Sequence, residues 1–245
     1  MENFIFGLRP VYEAIKAEKD IDKVLVRQNL GGPIADDLMS ELRRSGINIQ
    51  YVPTEKLDKI CKANHQGVIA YISPVQYHEL EGIVLKVFEA GEMPLIVILD
   101  SITDVRNFGA IARTCECAAV DAIVIPSRNS VRITEDAIKT SAGALFNIPV
   151  CRVDNLIDAV ILLEQSGVNV FAVSEKASKD IYSTNLNMPL AIIMGAEDTG
   201  ISKSLMKRVS GMIKIPMLGK TESLNVSVSA AIVTYEAVRQ RMYGQ

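Results

Sequence analysis

The chain has 245 residues, 49% of them apolar, which is enough for one large domain or two small ones with their own cores. The net charge of −3 argues against unselective binding to nucleic acid but leaves room for a local basic patch. No apolar run approaches the roughly 20 residues that span a bilayer, and MENFIFGLRP at the N-terminus does not resemble a secretory signal. We therefore expect no membrane association.

The four cysteines form no recognisable metal-binding pattern. There is no CxxC pair, Cys115 and Cys117 are too close for the usual zinc spacing, and the chain has only two histidines. These features predict a cytoplasmic protein with reduced thiols and no metal. Reactive chemistry at Cys115 or Cys117 remains an alternative to plain packing, which we favour.

The first 74 residues alternate between short helical and short strand-like segments. Helices are predicted from near Pro10 to about Ala17, over 34–46 and over 54–64; strands are predicted over 21–28, 48–53 and 67–74. This pattern predicts a compact α/β domain over 1–74. Pro74 and the polar residues after it break the pattern, and a short helix and EAGEMP follow, so we place a linker at about 75–92.

A second domain is predicted over 93–245. Its predicted strands are the apolar runs PLIVILDSI, DAIVIPS, NVFAVS, PLAIIMGAE and GMIKIPM, with helical stretches between them. Near-continuous apolar strands that alternate with helices predict a parallel sheet covered on both faces. Ligands of such sheets bind beyond the carboxyl ends of the strands.

The segments that follow these runs carry the informative residues. SITDVRNFGAIART, SRNSVRIT, AEDTG and MLGKTESLNVSVS each follow a strand, and each carries several charged or hydroxyl side chains. This suggests one shared site. There is no GxGxxG turn and no Walker loop, and both histidines precede the domain, which excludes much dehydrogenase, kinase and hydrolase chemistry.

The stretch TESLNVSVSAAIV, residues 221–233, combines two patterns. Leu224, Val226 and Val228 alternate with polar residues, as in a strand, whereas the residues from Ala230 onward are typical of the first turns of a helix. We expect the final helix over about 227–242. Apolar residues occupy more of the circumference of this helix than burial of one face against the sheet requires.

Three segments together resemble the SpoU (TrmH) branch of the SPOUT methyltransferases. They are NFGAIART at 107–114, MGAEDTGIS at 194–202 and IPMLGKTESLNVSVSAAI at 215–232, in the order and positions of that family's motifs. KTSAGALF at 139–146 also fits. The resemblance covers essentially all of 93–245.

The resemblance implies a deep trefoil knot in the C-terminal domain and S-adenosylmethionine bound in the loops of that knot. Small residues near the start of the last helix would allow close packing there. The residues implied to hold the cofactor are Met194, Gly195, Ala196, Gly200, Ile215, Met217, Ser223, Leu224 and Asn225.

The family also implies roles for the catalytic residues. We expect Arg113 to stabilise the developing alkoxide while Glu197 orients it, because a guanidinium is a poor base. Asn107 and Asn225 would orient neighbouring groups, and Ser223 would assist at the hydroxyl or the cofactor. Taken singly, Arg113 could be a solvated charge and Ser223 the N-cap of the last helix.

The N-terminal domain extends the resemblance. FGLRPVYEAI and NHQGVIAYI resemble the ribosomal-protein-L30-like substrate-binding domain of 23S rRNA ribose methyltransferases. RNA contacts are expected from Arg106, Arg128, Arg132 and His65. A His65 that caps the preceding helix is the alternative.

The implied activity is methylation of a ribose 2′-hydroxyl, most specifically of a guanosine in 23S rRNA. A tRNA substrate, methylation of a base and a catalytically silent RNA-binding module are the alternatives. The family further implies a homodimer through the C-terminal domain, in which Arg113 could serve either subunit's site.

Overall fold

A computed structural model describes residues 4–244. The described chain forms two compact units: residues up to Gln76 together with Ile133–Glu135, and the remainder from Tyr77 onward. Within residues 4–244, no helix combines the length and the apolar character needed to cross a membrane.

The first unit is a four-stranded sheet with three helices. Its elements are β1 (Phe4–Phe6), α1 (Leu8–Lys16), β2 (Ile21–Arg27), α2 (Pro33–Arg44), β3 (Ile49–Val52), α3 (Thr54–Ile60) and β4 (Val68–Ile72). The strand order is β1-β4-β2-β3, with β2 and β3 parallel and the other pairs antiparallel. The short strand β1 is an element that the sequence analysis did not predict.

The alternation of side chains along β2 and β4 gives this sheet an apolar core on each face. Val24 and Val26 point to one face, where they pack with residues of α1 and α2, while Leu25 lies in the opposite cluster with Leu57 of α3. A sheet with a core on both faces accounts for apolar residues at every position from Val24 to Val26.

The second unit is built on a seven-stranded parallel sheet. Its elements are α4 (Leu80–Glu89), β5 (Leu95–Asp100), α5 (Val105–Cys117), β6 (Ala122–Pro126), α6 (Glu135–Thr140), β7 (Val150–Val153), α7 (Leu156–Gln165), β8 (Asn169–Val173), β9 (Lys179–Asp180), β10 (Leu190–Gly195), α8 (Lys203–Met206), β11 (Gly211–Lys214) and α9 (Val226–Tyr243). A 3₁₀ turn, Ala144–Phe146, follows α6. The strand order is β7-β6-β5-β10-β8-β11-β9, and every pairing is parallel.

This sheet confirms the predicted α/β class and its parallel sheet. Strands β5 and β10 lie side by side at its centre, and their runs LIVILD and LAIIM are buried throughout. Helices α4, α7 and α8 contribute to the core on one face of the sheet. Helix α9 packs against α5 and β10. The trefoil knot stays a prediction.

The segment predicted as a linker contains a packed helix. Residues 80–89 form α4, whose Leu80 and Val84 are buried in the core of the second unit, so the chain passes from the first unit to the second between Gln76 and Tyr77. The polar residues of VQYHELEG suggested a linker, but the apolar positions of the next two turns belong to the second core.

Candidate active site

The two central strands end side by side, and three segments of the chain meet beyond them. Gly195, the last residue of β10, is in register with Asp100, the last residue of β5. The chain beyond β5 leads to Asn107 in the first turn of α5, the loop after β10 carries Glu197, and Asn225 stands at the start of α9. This is the edge at which parallel sheets bind ligands.

Asn107, Glu197 and Asn225 form one hydrogen-bonded network. Glu197 Oε1 accepts from Asn225 Nδ2 at 2.6 Å, from the backbone N of Val226 at 3.2 Å and from Asn107 Nδ2 at 3.5 Å. Asn225 Nδ2 also donates to Asn107 Oδ1 at 2.9 Å. A single carboxylate oxygen therefore ties together three loops that are far apart in sequence.

Helix capping fixes the orientation of the Asn225 side chain. Asn225 is the N-cap of α9, and its Oδ1 accepts from the backbone N of Ser227 at 3.0 Å. Because the oxygen is occupied by the helix, the amide nitrogen is the atom that faces Glu197. The cap residue is thus Asn225, and Ser223, the alternative from the sequence, lies two residues earlier in an exposed loop.

The loop after β10 folds back on the strand that precedes it. Gly200, at φ +65°, donates its backbone N–H to Ala196 O at 2.8 Å. The backbone of Gly200 and Ile201 lies so close to Gly195 that an added Cβ at Gly195 would stand 2.3 Å from Gly200 C. Only glycine fits at 195, which explains the glycine at the end of this strand.

The residues implied to hold the cofactor lie in this loop and in the one after β11. Met194 is buried in the sheet, Ile215 and Met217 are half-buried, and Ser223 and Leu224 are exposed just before Asn225. Within residues 4–244, Ser223 makes no hydrogen bond. Apolar side chains that reach the surface in these loops, Leu224 above all, offer area on which a flat apolar group can lie.

Arg113 does not join this network. It lies on α5 six residues after Asn107, which places it about 9 Å along the helix axis and about 120° around it. Its side chain is exposed and has no partner within residues 4–244. Within residues 4–244, Glu197 contacts the two asparagines through Oε1 and makes no contact with Arg113, so the orientation of Arg113 by Glu197 stays a prediction.

The four residues expected to contact RNA differ in their surroundings. Arg106 and Arg128 are exposed, and Arg132 is half-buried and has partners of its own. His65 is only 7% exposed: its Nε2 lies 2.9 Å from Asp58 Oδ1, and its Nδ1 accepts from the backbone N of Gly67 at 2.9 Å. His65 thus stabilises the turn after α3 with both ring nitrogens, and its contact with RNA stays a prediction.

Two of the cysteines, Cys115 and Cys151, are buried and unsuited to reactive thiol chemistry. Burial raises the pKa of the Cys115 thiol to about 12, and the pKa of Cys151 likewise to about 12, so neither forms a thiolate near neutral pH. Cys117 is exposed. No group of three or more potential metal ligands occurs among residues 4–244.

One buried polar residue at this edge was missed in the sequence. Asp100 is 6% exposed and uses its carboxylate to hold the loop after β10. A charged residue that closes an otherwise apolar buried strand, as in LIVILD, is the signal that could have identified it.

Comparison with known proteins identifies the family. The model of the SpoU rRNA methylase family matches residues 94–235, and that of the RNA 2′-O ribose methyltransferase substrate-binding domain matches residues 4–78. The putative TrmH family tRNA/rRNA methyltransferase YacO of Bacillus subtilis is 35% identical over 239 residues, covering 98% of this chain and 96% of that protein.

Solved structures share the fold. The SpoU methyltransferase AviRb of Streptomyces viridochromogenes, in complex with the cofactor AdoMet, superposes with a TM-score of 0.63 at 23% identity, covering 98% of this chain and 91% of that one. The TrmH/SpoU tRNA modifying enzyme of A. aeolicus gives a TM-score of 0.56 at 28% identity over 66% of this chain and 84% of that one. The protein described here is a member of the SpoU (TrmH) family of RNA methyltransferases.

Proposed function

We propose that the protein transfers a methyl group from S-adenosylmethionine to the ribose 2′-hydroxyl of a guanosine in 23S rRNA. The observation that carries this proposal is the Asn107–Glu197–Asn225 network at the carboxyl edge of the central strands. The substrate-binding family model over residues 4–78 supports a ribose of RNA as the acceptor. The SpoU rRNA methylase model supports ribosomal RNA.

The residues around the network fit the cofactor. Ile215, Met217 and Leu224 supply apolar surface for an adenine ring, while the backbone around Gly195 supplies polar groups at a strand end. The cofactor supplies an electrophilic methyl group on a sulfonium. The ribose oxygen would accept that methyl group with S-adenosylhomocysteine as the leaving group, and the hydroxyl proton would pass to solvent.

The network's proposed task is to hold the reacting groups in place. Glu197 and Asn225 fix the start of α9 against the loop after β10, so the exposed Ser223 just before it is presented towards the acceptor hydroxyl or the cofactor. Asn107 completes the network and leaves Arg106 exposed beside it for RNA phosphate, with Arg128 as a further contact. Such prealigned groups lower the barrier mainly through placement.

Arg113 is proposed to act in the site of a second subunit. It is a fixed positive charge suited to phosphate and to a developing alkoxide, yet within its own chain it is exposed and stands apart from the network. A two-fold dimer would allow the Arg113 of each chain to complete the site of the other.

Helix α9 offers a surface for this dimer. Val228, Tyr235 and Met242 recur every seven residues and are 45, 48 and 67% exposed, forming an apolar stripe about 21 Å long. Ala230 and Ala237 of the same helix are buried within the chain. The exposed stripe is therefore distinct from the face that packs on α5.

The substrate is tested by methylating unmodified RNA and identifying the product. Purified protein and labelled S-adenosylmethionine are incubated separately with transcribed 23S rRNA and with tRNA, and the nucleosides are separated by mass spectrometry. We expect 2′-O-methylguanosine from 23S rRNA, absent with Glu197→Ala. A methylated base would refute the ribose as acceptor, and a product confined to tRNA would refute 23S rRNA as the substrate. No product with either RNA would refute the methyltransferase activity on these RNAs.

The dimer is tested by sedimentation equilibrium. The native protein should sediment at twice its chain mass at micromolar concentration, and Tyr235→Glu should give monomers with little methyl transfer. Tyr51→Glu, at an exposed tyrosine of the first unit, is the matched control and should stay dimeric. A fully active native monomer would contradict both the dimer and the placement of Arg113 in the partner's site.

A further inference from the structure

Asp100 is a buried carboxylate without a cation beside it. It closes β5, is 6% exposed, and makes no ion pair among the described residues. Removing a carboxylate from water is costly unless hydrogen bonds satisfy it. Its partners should therefore show why a charged residue is kept at this position.

Two hydrogen bonds satisfy the Asp100 carboxylate. Oδ2 accepts from the backbone N of Ser202 at 2.7 Å, and Oδ1 accepts from Ser101 Oγ at 3.0 Å. The first bond joins residues that are 102 positions apart. It connects the end of β5 to the far end of the loop that leaves β10.

That loop is closed at two points. At its base, Gly200 and Ile201 pack on Gly195, and the backbone N of Gly200 donates to Ala196 O. One residue after Ile201, the backbone N–H of Ser202 is held by Asp100. Glu197 lies on the exposed stretch between Ala196 and Gly200, inside both closures, so its position depends on both.

We propose that Asp100 is a positioning residue, which closes the loop through the Ser202 N–H and thereby sets Glu197 against Asn107 and Asn225. Loss of the bond frees the far end of the loop, and Glu197 then samples positions beyond reach of the two asparagines. The same loop carries Gly195 and Ala196 towards the cofactor, so both cofactor affinity and turnover depend on Asp100. The inference rests on the proposed function, since it takes Glu197 and this loop as parts of the site.

The hydrogen bond has a donor and an acceptor that can be removed separately. Asp100→Ala removes the acceptor. Ser202→Pro removes the donor, because proline lacks the N–H and the φ of −58° at Ser202 is close to the value that proline requires. Ser202→Ala keeps the N–H and is the matched control, while Asp100→Asn keeps an oxygen acceptor for Ser202 and an amide for Ser101.

We expect the two variants that break the bond to lose kcat/KM to the same extent. In the full-length protein, Asp100→Ala and Ser202→Pro should each lower kcat/KM by about a hundredfold, with a higher KM for S-adenosylmethionine and a lower kcat. Their double mutant should be no worse than either single variant, because both remove one interaction. Asp100→Asn should recover most of the loss, and Ser202→Ala should behave as wild type.

The same measurements separate positioning from loss of folding. Kinetics are run well below each variant's melting temperature, where a purely structural role would leave kcat and KM unchanged. Wild-type constants for Asp100→Ala or Ser202→Pro, additive losses in the double mutant, or no recovery with Asp100→Asn would overturn the inference. Glu197→Ala is measured alongside: if it is inactive, the proposed site stands without this inference, and if it is fully active, the proposed site itself falls.

Discussion

Replacing Gly195 with alanine should disable the enzyme through a single methyl group. The added Cβ would stand 2.3 Å from Gly200 C, 2.4 Å from Ile201 N and 2.6 Å from Gly200 O. All three neighbours are backbone atoms of the loop that follows β10, so no side chain can rotate away. The loop itself must move.

The size of the displacement follows from these distances. Ordinary van der Waals contact begins at 3.4 Å, so the 2.3 Å contact must open by about 1.1 Å. A shift of that size applied to Glu197 along its 2.6 Å bond to Asn225 would lengthen the bond to about 3.7 Å, beyond hydrogen-bonding range. We expect methyl transfer to fall by about a hundredfold and overpacking to cost about 1–3 kcal/mol of stability.

Methyl incorporation into RNA and calorimetric titration with S-adenosylmethionine measure the two effects. Gly82→Ala is the control, since nothing lies within 4 Å of its added Cβ on the exposed side of α4. That variant should be fully active and slightly more stable, by about 1 kcal/mol. If Gly195→Ala turned over at the wild-type rate, the close approach of the loop would not be needed for the site.

Three further predictions concern the last helix. Asn225→Ser should keep the helix cap and the stability of the fold but lower methyl transfer about a hundredfold, because serine cannot donate to Glu197 as the amide does. Asn225→Ala should also lower the free energy of unfolding by about 1 kcal/mol, measured in a thermal melt, because it removes the cap. Arg241→Met removes the guanidinium that donates to three backbone carbonyls at 2.7, 2.7 and 2.9 Å, which should cost about 3 kcal/mol and lower Tm by about 6–12 °C in scanning calorimetry. Hydrogen bonds from Arg239 lower the pKa of Glu236 below its ordinary value of 4.5, so this pair stabilises the fold above about pH 4.5 and is lost as the pH falls through the lowered pKa. Glu236→Gln should therefore flatten the acid limb of the stability curve measured by denaturant titration, and an unchanged limb would contradict the assignment.

The residues themselves determined the class of fold. Near-continuous apolar runs such as LIVILD and LAIIM are typical of strands buried on both faces, and their alternation with helices favours parallel pairing. These local constraints do not depend on what lies across the sheet, so they are readable along the chain. The three loop motifs likewise indicated the SpoU family, which the comparisons confirm.

Local patterns misled where a distant partner decided the structure. Alternation up to Val228 is typical of a strand, yet the helix expected over about 227–242 spans Val226–Tyr243, because Asn225 caps it and Glu197 accepts the first N–H. The short helix expected in the segment predicted as a linker is present, but its Leu80 and Val84 fill a core whose other residues lie far along the chain.

The tertiary structure alone decided which candidate residues meet. Motif spacing placed Asn107, Glu197 and Asn225 at strand ends but could not show that one carboxylate oxygen joins them, since that contact spans 90 and 28 residues. It also could not show that Arg113 stands apart from Glu197, or that Asp100 reaches Ser202. The buried face of a helix or strand can be predicted from sequence, because apolar residues recur along it with a local period. Which strand ends become neighbours depends on the order of the strands in the sheet, and that order exists only once the chain has folded.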